Sequence, residues 1–151
     1  MNNYVKNFSL ESLFGKPIRG TRLIKDKRIK GNIPLVTAGY NNYGIAELIN
    51  NEEQQTFKSG FTIDMFGNCF YRDYEFKADD NILVFDNPDL TKEVKLFIAT
   101  CINKSTVGYS YGSQFRLNSY NNTLINLPVK LILAPDFEIV RKFGGGGINN
   151  E

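Results

Sequence analysis

The sequence predicts an α+β fold: a single domain with a curved, mostly antiparallel β-sheet or partial barrel and a few short helices. Three observations predict it. Between residues 33 and 85, short apolar runs alternate with turn signals at Gly39, Gly60, Gly67 and Ala78-Asp79-Asp80, the mark of brief strands in a strongly bent sheet. Val94, Phe97, Ile98, Cys101 and Ile102 recur at steps of three and four, the stripe of one amphipathic helix. With 151 residues, 42% hydrophobic and 23% charged, the chain can bury one core and is not disordered as a whole.

Residues 8–14 (F-S-L-E-S-L-F) predict a short helix. Ser9 is its N-cap, Glu11 lies in its first turn, and Gly15 suits a left-handed stop. Leu10, Leu13 and Phe14 share one face. Pro17 opens an extended arm. Strands are expected at residues 33–36, 43–49, 57–63, 68–71 and 81–85, the third alternating Phe57, Ser59, Phe61 and Ile63. Residues 91–104 form the best helix, capped by Thr91 with Glu93 as capping-box partner and Lys104 at the negative end of the dipole. A Gly-Tyr-Ser loop follows, then a strand at 124–129. Pro135 opens a last helix over 136–143, and the glycine-rich tail 144–151 is expected to fray. No internal repeat is visible.

Composition removes several classes of chemistry. Without histidine the chain lacks the commonest general base and metal ligand, so no nucleophilic dyad of Ser or Cys with His can form. Cys69 and Cys101 have no neighbouring Cys or His to complete a zinc site and read as reduced core residues. No metal or cofactor is expected. Asn87-Pro88-Asp89 lacks the second proline and the aromatic of an amino-methyltransferase tetrad. No apolar run reaches the roughly 18–20 residues of a membrane span, and the first residues do not read as a secretory signal, so a cytoplasmic protein is expected.

Charge is concentrated instead. Residues 16–30 carry seven basic side chains (Lys16, Arg19, Arg22, Lys25, Lys27, Arg28, Lys30) against Asp26, in a chain of net charge +2. Such a segment suits a phosphate backbone; as a bland alternative it solvates an edge strand. The adjoining loop Gly39-Tyr-Asn-Asn-Tyr-Gly44 offers Asn41, Asn42 and Tyr43 for adenine edges and stacking, or is simply a tight turn. Tyr109, Tyr111, Ser113, Gln114 and Arg116 form a third candidate, with Gln114 and Arg116 suited to adenine and guanine; the alternative is that Gln114 and Arg116 satisfy carbonyls holding the loop in place. Arg72 either contacts DNA or pairs with Asp73. Phe61, Phe66, Phe70, Tyr71, Tyr74 and Phe76 read as core, with a single-strand stacking platform as the alternative. Asp79 or Asp80 with Glu93-Val94-Lys95 matches the loose acid and E-x-K spacing of a Mg-dependent nuclease, although Glu93 and Lys95 equally fit the exposed start of a helix.

Read in order, L-x-S-L-F-G, G-N-I-P-L-V-T-A-G-Y-N-N-Y-G-I, F-T-I-D-M-F-G-N-C-F-Y-R-D-Y-E-F, D-N-I-L-V-F, Y-G-S-Q-F-R-L-N-S and I-N-L-P-V with P-D-F-E resemble the target recognition domain of bacterial restriction–modification specificity subunits. The ordered set, spanning nearly residues 8–143, carries the resemblance; no single piece is specific. It implies a domain over residues 1–143 that reads half of a split double-stranded DNA site and is itself non-catalytic. It also implies a methyltransferase subunit as partner, with a restriction subunit in some systems. In the family a long spacer helix follows the L-P segment; residues 136–143 match only its first turns, so a homodimer depends on a complete spacer.

Overall fold

A computed structural model describes residues 4–129, so the expected helix at 136–143 and the tail 144–151 lie outside the described residues. The described strands divide among three sheets, and every pairing but one is antiparallel. The central sheet orders β2 (Ile18–Arg19), β8 (Ile82–Phe85), β5 (Gly60–Asp64) and β6 (Cys69–Arg72). Against it stands a sheet of β4 (Ile45–Ile49), β3 (Lys30–Val36) and β7 (Lys77–Ala78), the last running parallel to β3. Strand β1 (Tyr4–Ser9), which sequence reading missed, pairs along its length with β9 (Leu124–Val129).

All five residues of β5 are buried because both faces of the central sheet are covered. Side-chain alternation sends Phe61, Ile63, Cys69, Leu83 and Phe85 into the main core, where they meet α1 (Leu10–Phe14), α2 (Lys92–Ser105) and α3 (Leu117–Asn122). Ile82 and Val84 point the other way, packing with Val36, Phe76 and Ala78. Thr62, Asp64 and Arg72 are also buried. By the same alternation they share the Ile82 face, which gives the central sheet a polar stripe beneath the second sheet.

The first helix is shorter than expected but keeps its caps: Ser9 Oγ accepts from Ser12 N, and Gly15 closes it at φ +76°. Thr91 caps α2 by accepting from Val94 N, so the third helical position is Val94 and Glu93 makes no capping box. Two strands begin later than expected. β4 starts at Ile45 because residues 42–44 turn left-handed, and Phe57 is set apart from β5, pairing in isolation with Phe76. The arm after Pro17 is not uniformly extended: it adds β2 to the central sheet and makes a 3-10 turn at Lys25–Lys27. Helix α3 was missed because L-N-S-Y-N-N shows no apolar period. Tertiary bonding holds it, with the buried Tyr120 hydroxyl donating to Gly15 O at 2.8 Å. Asn87, in the rejected tetrad, donates to Leu13 O at 2.9 Å and satisfies an orphan carbonyl at the end of α1. Cys69 is a buried free thiol, while Cys101 is free but only half-buried.

Candidate nucleic-acid interface

The turn between β5 and β6 is the organising point. Asp64 ends β5, and its buried carboxylate accepts from Gly39 N (2.8 Å), Phe66 N (2.9 Å), Asn68 N (2.9 Å) and Asn68 Nδ2 (3.0 Å). One side chain thus fixes the hairpin tip and the start of the 39–44 loop together. Gly67 completes the tip at φ +84°, where a Cβ would stand 2.5 Å from Thr106 O. On the other side of the tip, Phe115 N donates to Met65 O at 2.7 Å, and Tyr111 packs edge-on against Phe66 at 4.9 Å. Both polar loops singled out in the sequence therefore flank one turn. Asp64 was missed because a lone aspartate before a glycine turn reads as turn punctuation.

Arg72 is 1% exposed, which corrects its assignment as a DNA contact. Its Nε donates to Thr62 Oγ1 at 2.9 Å, Nη1 to the Tyr74 hydroxyl at 2.8 Å, and Nη2 to the Tyr43 carbonyl. Burial lowers its pKa from the ordinary value, opposed chiefly by Tyr74. Asp73 pairs with Lys92 instead, at 3.2 Å. Arg72 also sits 5.3 Å from the Phe70 ring centre, and Phe70 in turn meets Tyr40 and Tyr43 at 5.8 and 5.6 Å. Asn42 and Tyr43 adopt φ of +52° and +56°, and the loop presents Asn41, Asn42 and Tyr43 to solvent.

The core assignment of the aromatics holds for Phe61 and Phe76 but not throughout. Phe66, Phe70 and Tyr74 join Tyr40 and Tyr43 around a groove of about 810 Å³ whose far wall is α2. No Asp or Glu lines this groove. Strand alternation alone could not find it, because what uncovers these rings is the turn geometry around them.

The cationic arm divides. Arg19 lies at the Asp64 end of the central sheet, since β2 runs antiparallel to β8 and Ile82 pairs with Asp64. Gly20 follows because the chain there passes over Asp79, whose carbonyl would be 2.1 Å from a Cβ. Arg22 is exposed beyond it. Lys25, Lys27 and Lys30 are exposed, and Lys30 begins β3 about 20 Å from Val36 at about 3.3 Å per residue. They are held there by Asn51, whose Oδ1 accepts from Ile29 N (2.8 Å) and whose Nδ2 donates to Lys27 O (2.9 Å). Arg28 is half-buried and paired with Glu47 at 2.8 Å, so much of its charge is met inside the protein. Ser113 is exposed. Gln114 and Arg116 are half-buried, with Arg116 donating to Gln114 Oε1 and Gln114 Nε2 to Tyr111 O at 3.2 Å, so each also shapes its own loop.

The nuclease set is not assembled. Asp80 precedes β8 and faces Arg19, whereas Lys95 is buried against Asp86 at 2.8 Å, beyond the other end of that strand. Among the described residues no group of three Asp, Glu, Cys or His could hold a metal ion.

The family described as the type I restriction modification DNA specificity domain matches residues 2–133. The chain belongs to that family. The specificity domain is 29% identical over 129 residues to the specificity subunit S.BcgI of a type II restriction enzyme from Heyndrickxia coagulans, covering 82% of this chain and 38% of that protein. Two solved structures share its fold. The S subunit of a type I restriction–modification system from M. genitalium gives a TM-score of 0.65 at 14% identity, over 84% of this chain and 35% of that one. The HsdS subunit from Thermoanaerobacter tengcongensis gives 0.61 at 12%, over 94% and 36%. The specificity domain spans little more than a third of each of these relatives. No described helix is long and apolar enough to cross a membrane.

Proposed function

We propose that this specificity domain reads one short stretch of double-stranded DNA and confers sequence selectivity on a methyltransferase subunit that supplies the chemistry. The domain itself is non-catalytic, works in the cytoplasm and requires no cofactor. A restriction subunit joins in systems that cleave, and pairing of two copies requires a complete spacer helix. The single observation that carries the reading is the convergence on the Asp64 turn of the 39–44 loop on one side and the 111–116 loop on the other, with Arg19 at the same end of the sheet. Loops fixed by a rigid sheet end can enter a groove and present Asn41, Asn42, Tyr43, Ser113, Gln114 and Arg116 to base edges. Arg22, Lys25, Lys27 and Lys30 lie along the arm, where they meet phosphates and set orientation without reading sequence.

Selection from a random duplex pool tests this. The expected result is one short preferred sequence, with each mismatch costing about 1–3 kcal/mol. Equal binding of all duplexes overturns it.

A second reading is favoured by the uncovered rings of Tyr40 (71% exposed) and Tyr43 (65% exposed) beside a groove without carboxylates: a stacking platform for single strands. Tighter binding to an unpaired oligonucleotide than to any duplex selects it.

A further inference from the structure

On the far side of the Asp64 turn from the aromatic groove lies a second cavity, of about 470 Å³, whose polar lining is Arg19, Asp80, Asn81 and Arg116. Arg19 Nε donates to the main-chain carbonyl of Asp80 at 2.7 Å, which anchors the guanidinium without using the Asp80 side chain. Arg19 Nη2 stands 3.8 Å from Asp80 Oδ2, an ion-pair distance too long for a hydrogen bond. The Asp80 side chain is 29% exposed, and the residue lines the cavity. Arg116 is held by its own N–H to Ser119 Oγ at 3.0 Å and by its fork to Gln114.

A carboxylate on a face that receives a polyanion repels every phosphate near it. Arg19 at 3.8 Å offsets part of that repulsion, and a donor on the nucleic acid offsets the rest. In the major groove that donor is an exocyclic amino group, on cytosine N4 or adenine N6. We infer that the Arg19–Arg116 cavity is a base-reading pocket in which Asp80 accepts a hydrogen bond from such an amino group and excludes bases that present a carbonyl there. Arg19 and Arg116 flank it as donors to guanine or to adjoining phosphate, and Asn81 lies beside it. This assignment rests on the duplex-reading function proposed above. It gives Asp80 a role that the dismantled nuclease set does not.

The competing role, steadying Arg19, makes the opposite prediction, because it would lower affinity for every sequence. Binding-site selection on the whole chain, with Asp80→Ala and the near-isosteric Asp80→Asn, separates them. The natural chain is expected to select cytosine or adenine at one position, and replacing that base weakens binding about tenfold or more. Asp80→Ala loses selection at that position alone while keeping or gaining affinity for random duplex. Where the natural preference is cytosine, Asp80→Asn shifts selection there toward adenine, whose edge an amide matches. If Asp80→Ala keeps the natural preference at every position, or weakens all duplexes alike, this assignment is overturned and duplex reading stands. If the natural chain selects no sequence at all, both are overturned.

Discussion

Arg72 donates from beneath the sheet surface to the main-chain carbonyl of Tyr43, and this bond holds an aromatic residue at φ +56° at the head of an exposed loop. A left-handed conformation costs a non-glycine residue roughly 1–2 kcal/mol. Here the cost falls on a residue whose ring is 65% exposed, so it brings little burial in return. Strain at an exposed aromatic, locked by a buried cation, is what the DNA-contacting loop proposed above would show.

Because Arg72 binds the Tyr43 backbone, the loop is held mainly through its main chain, and the ring adds one edge contact to Phe70. Tyr43→Gly relaxes the φ strain, an effect offset by the greater freedom of glycine in the unfolded chain. Its stability should lie within about 1 kcal/mol of the natural chain in a urea titration. Duplex affinity should fall nonetheless. Destabilisation well beyond that range would mean that the ring supports the fold.

Replacing Arg72 itself has the reverse pattern. Arg72→Met leaves the Tyr43 carbonyl, Thr62 and the Tyr74 hydroxyl without their partner. Orphaned polar groups of this kind should cost about 3–5 kcal/mol in chemical denaturation. A loss under about 1 kcal/mol would show that water replaces the guanidinium.

Asp64→Ala should be comparably severe, about 3 kcal/mol or more, since three backbone N–H groups lose their acceptor. Asp64→Asn should fall between, because one amide nitrogen then faces donors. Hydrogen exchange at Gly39, Phe66 and Asn68 reads the effect directly, and unchanged protection in the alanine variant contradicts the assignment.

Lys25, Lys27 and Lys30 are exposed and lie away from the turn, so alanine at each should leave stability within about 0.5 kcal/mol. If each meets one phosphate, each variant should lower the slope of log K against log salt by about one, for all sequences alike. An unchanged slope removes that lysine from the interface.

Partial burial raises the Asp79 carboxyl above its usual 3.8, opposed by hydrogen bonds from the Asp80 and Leu23 main chain and reinforced by the nearby Asp80 charge. The folded state therefore binds the proton more readily than the unfolded state. Asp79 thus costs stability as pH rises from about 3.8 through the raised value, and the penalty is complete above it. Asp79→Asn keeps an acceptor for Leu23 N and should be more stable than the natural chain at pH 7. The difference should close as pH falls toward 3.8. A gap independent of pH would assign the effect to packing.

Much of this fold was legible along the chain. Ser9, Gly15 and Thr91 mark helix ends because a cap is a local hydrogen bond, formed within three or four residues. β1 and α3 were not legible, since β1 is held by pairing with β9 and α3 by the Tyr120 hydroxyl on Gly15. The candidate site divides in the same way. Asn41, Asn42, Tyr43 and the exposed lysines could be chosen by residue type, but Arg28 and Arg72 have the same chemistry and spend it internally, on Glu47 and on Tyr43.

By itself the amino-acid order determined the α+β class, the caps, the cationic segment and the two polar loops, because each depends on neighbours in the chain. Only the tertiary structure decided that Asp64 joins those loops at one turn, that Phe66, Phe70 and Tyr74 line a groove, and which arginines stay free. A side chain's role as contact or strut depends on the partners that long-range folding brings to it, and no local pattern encodes them.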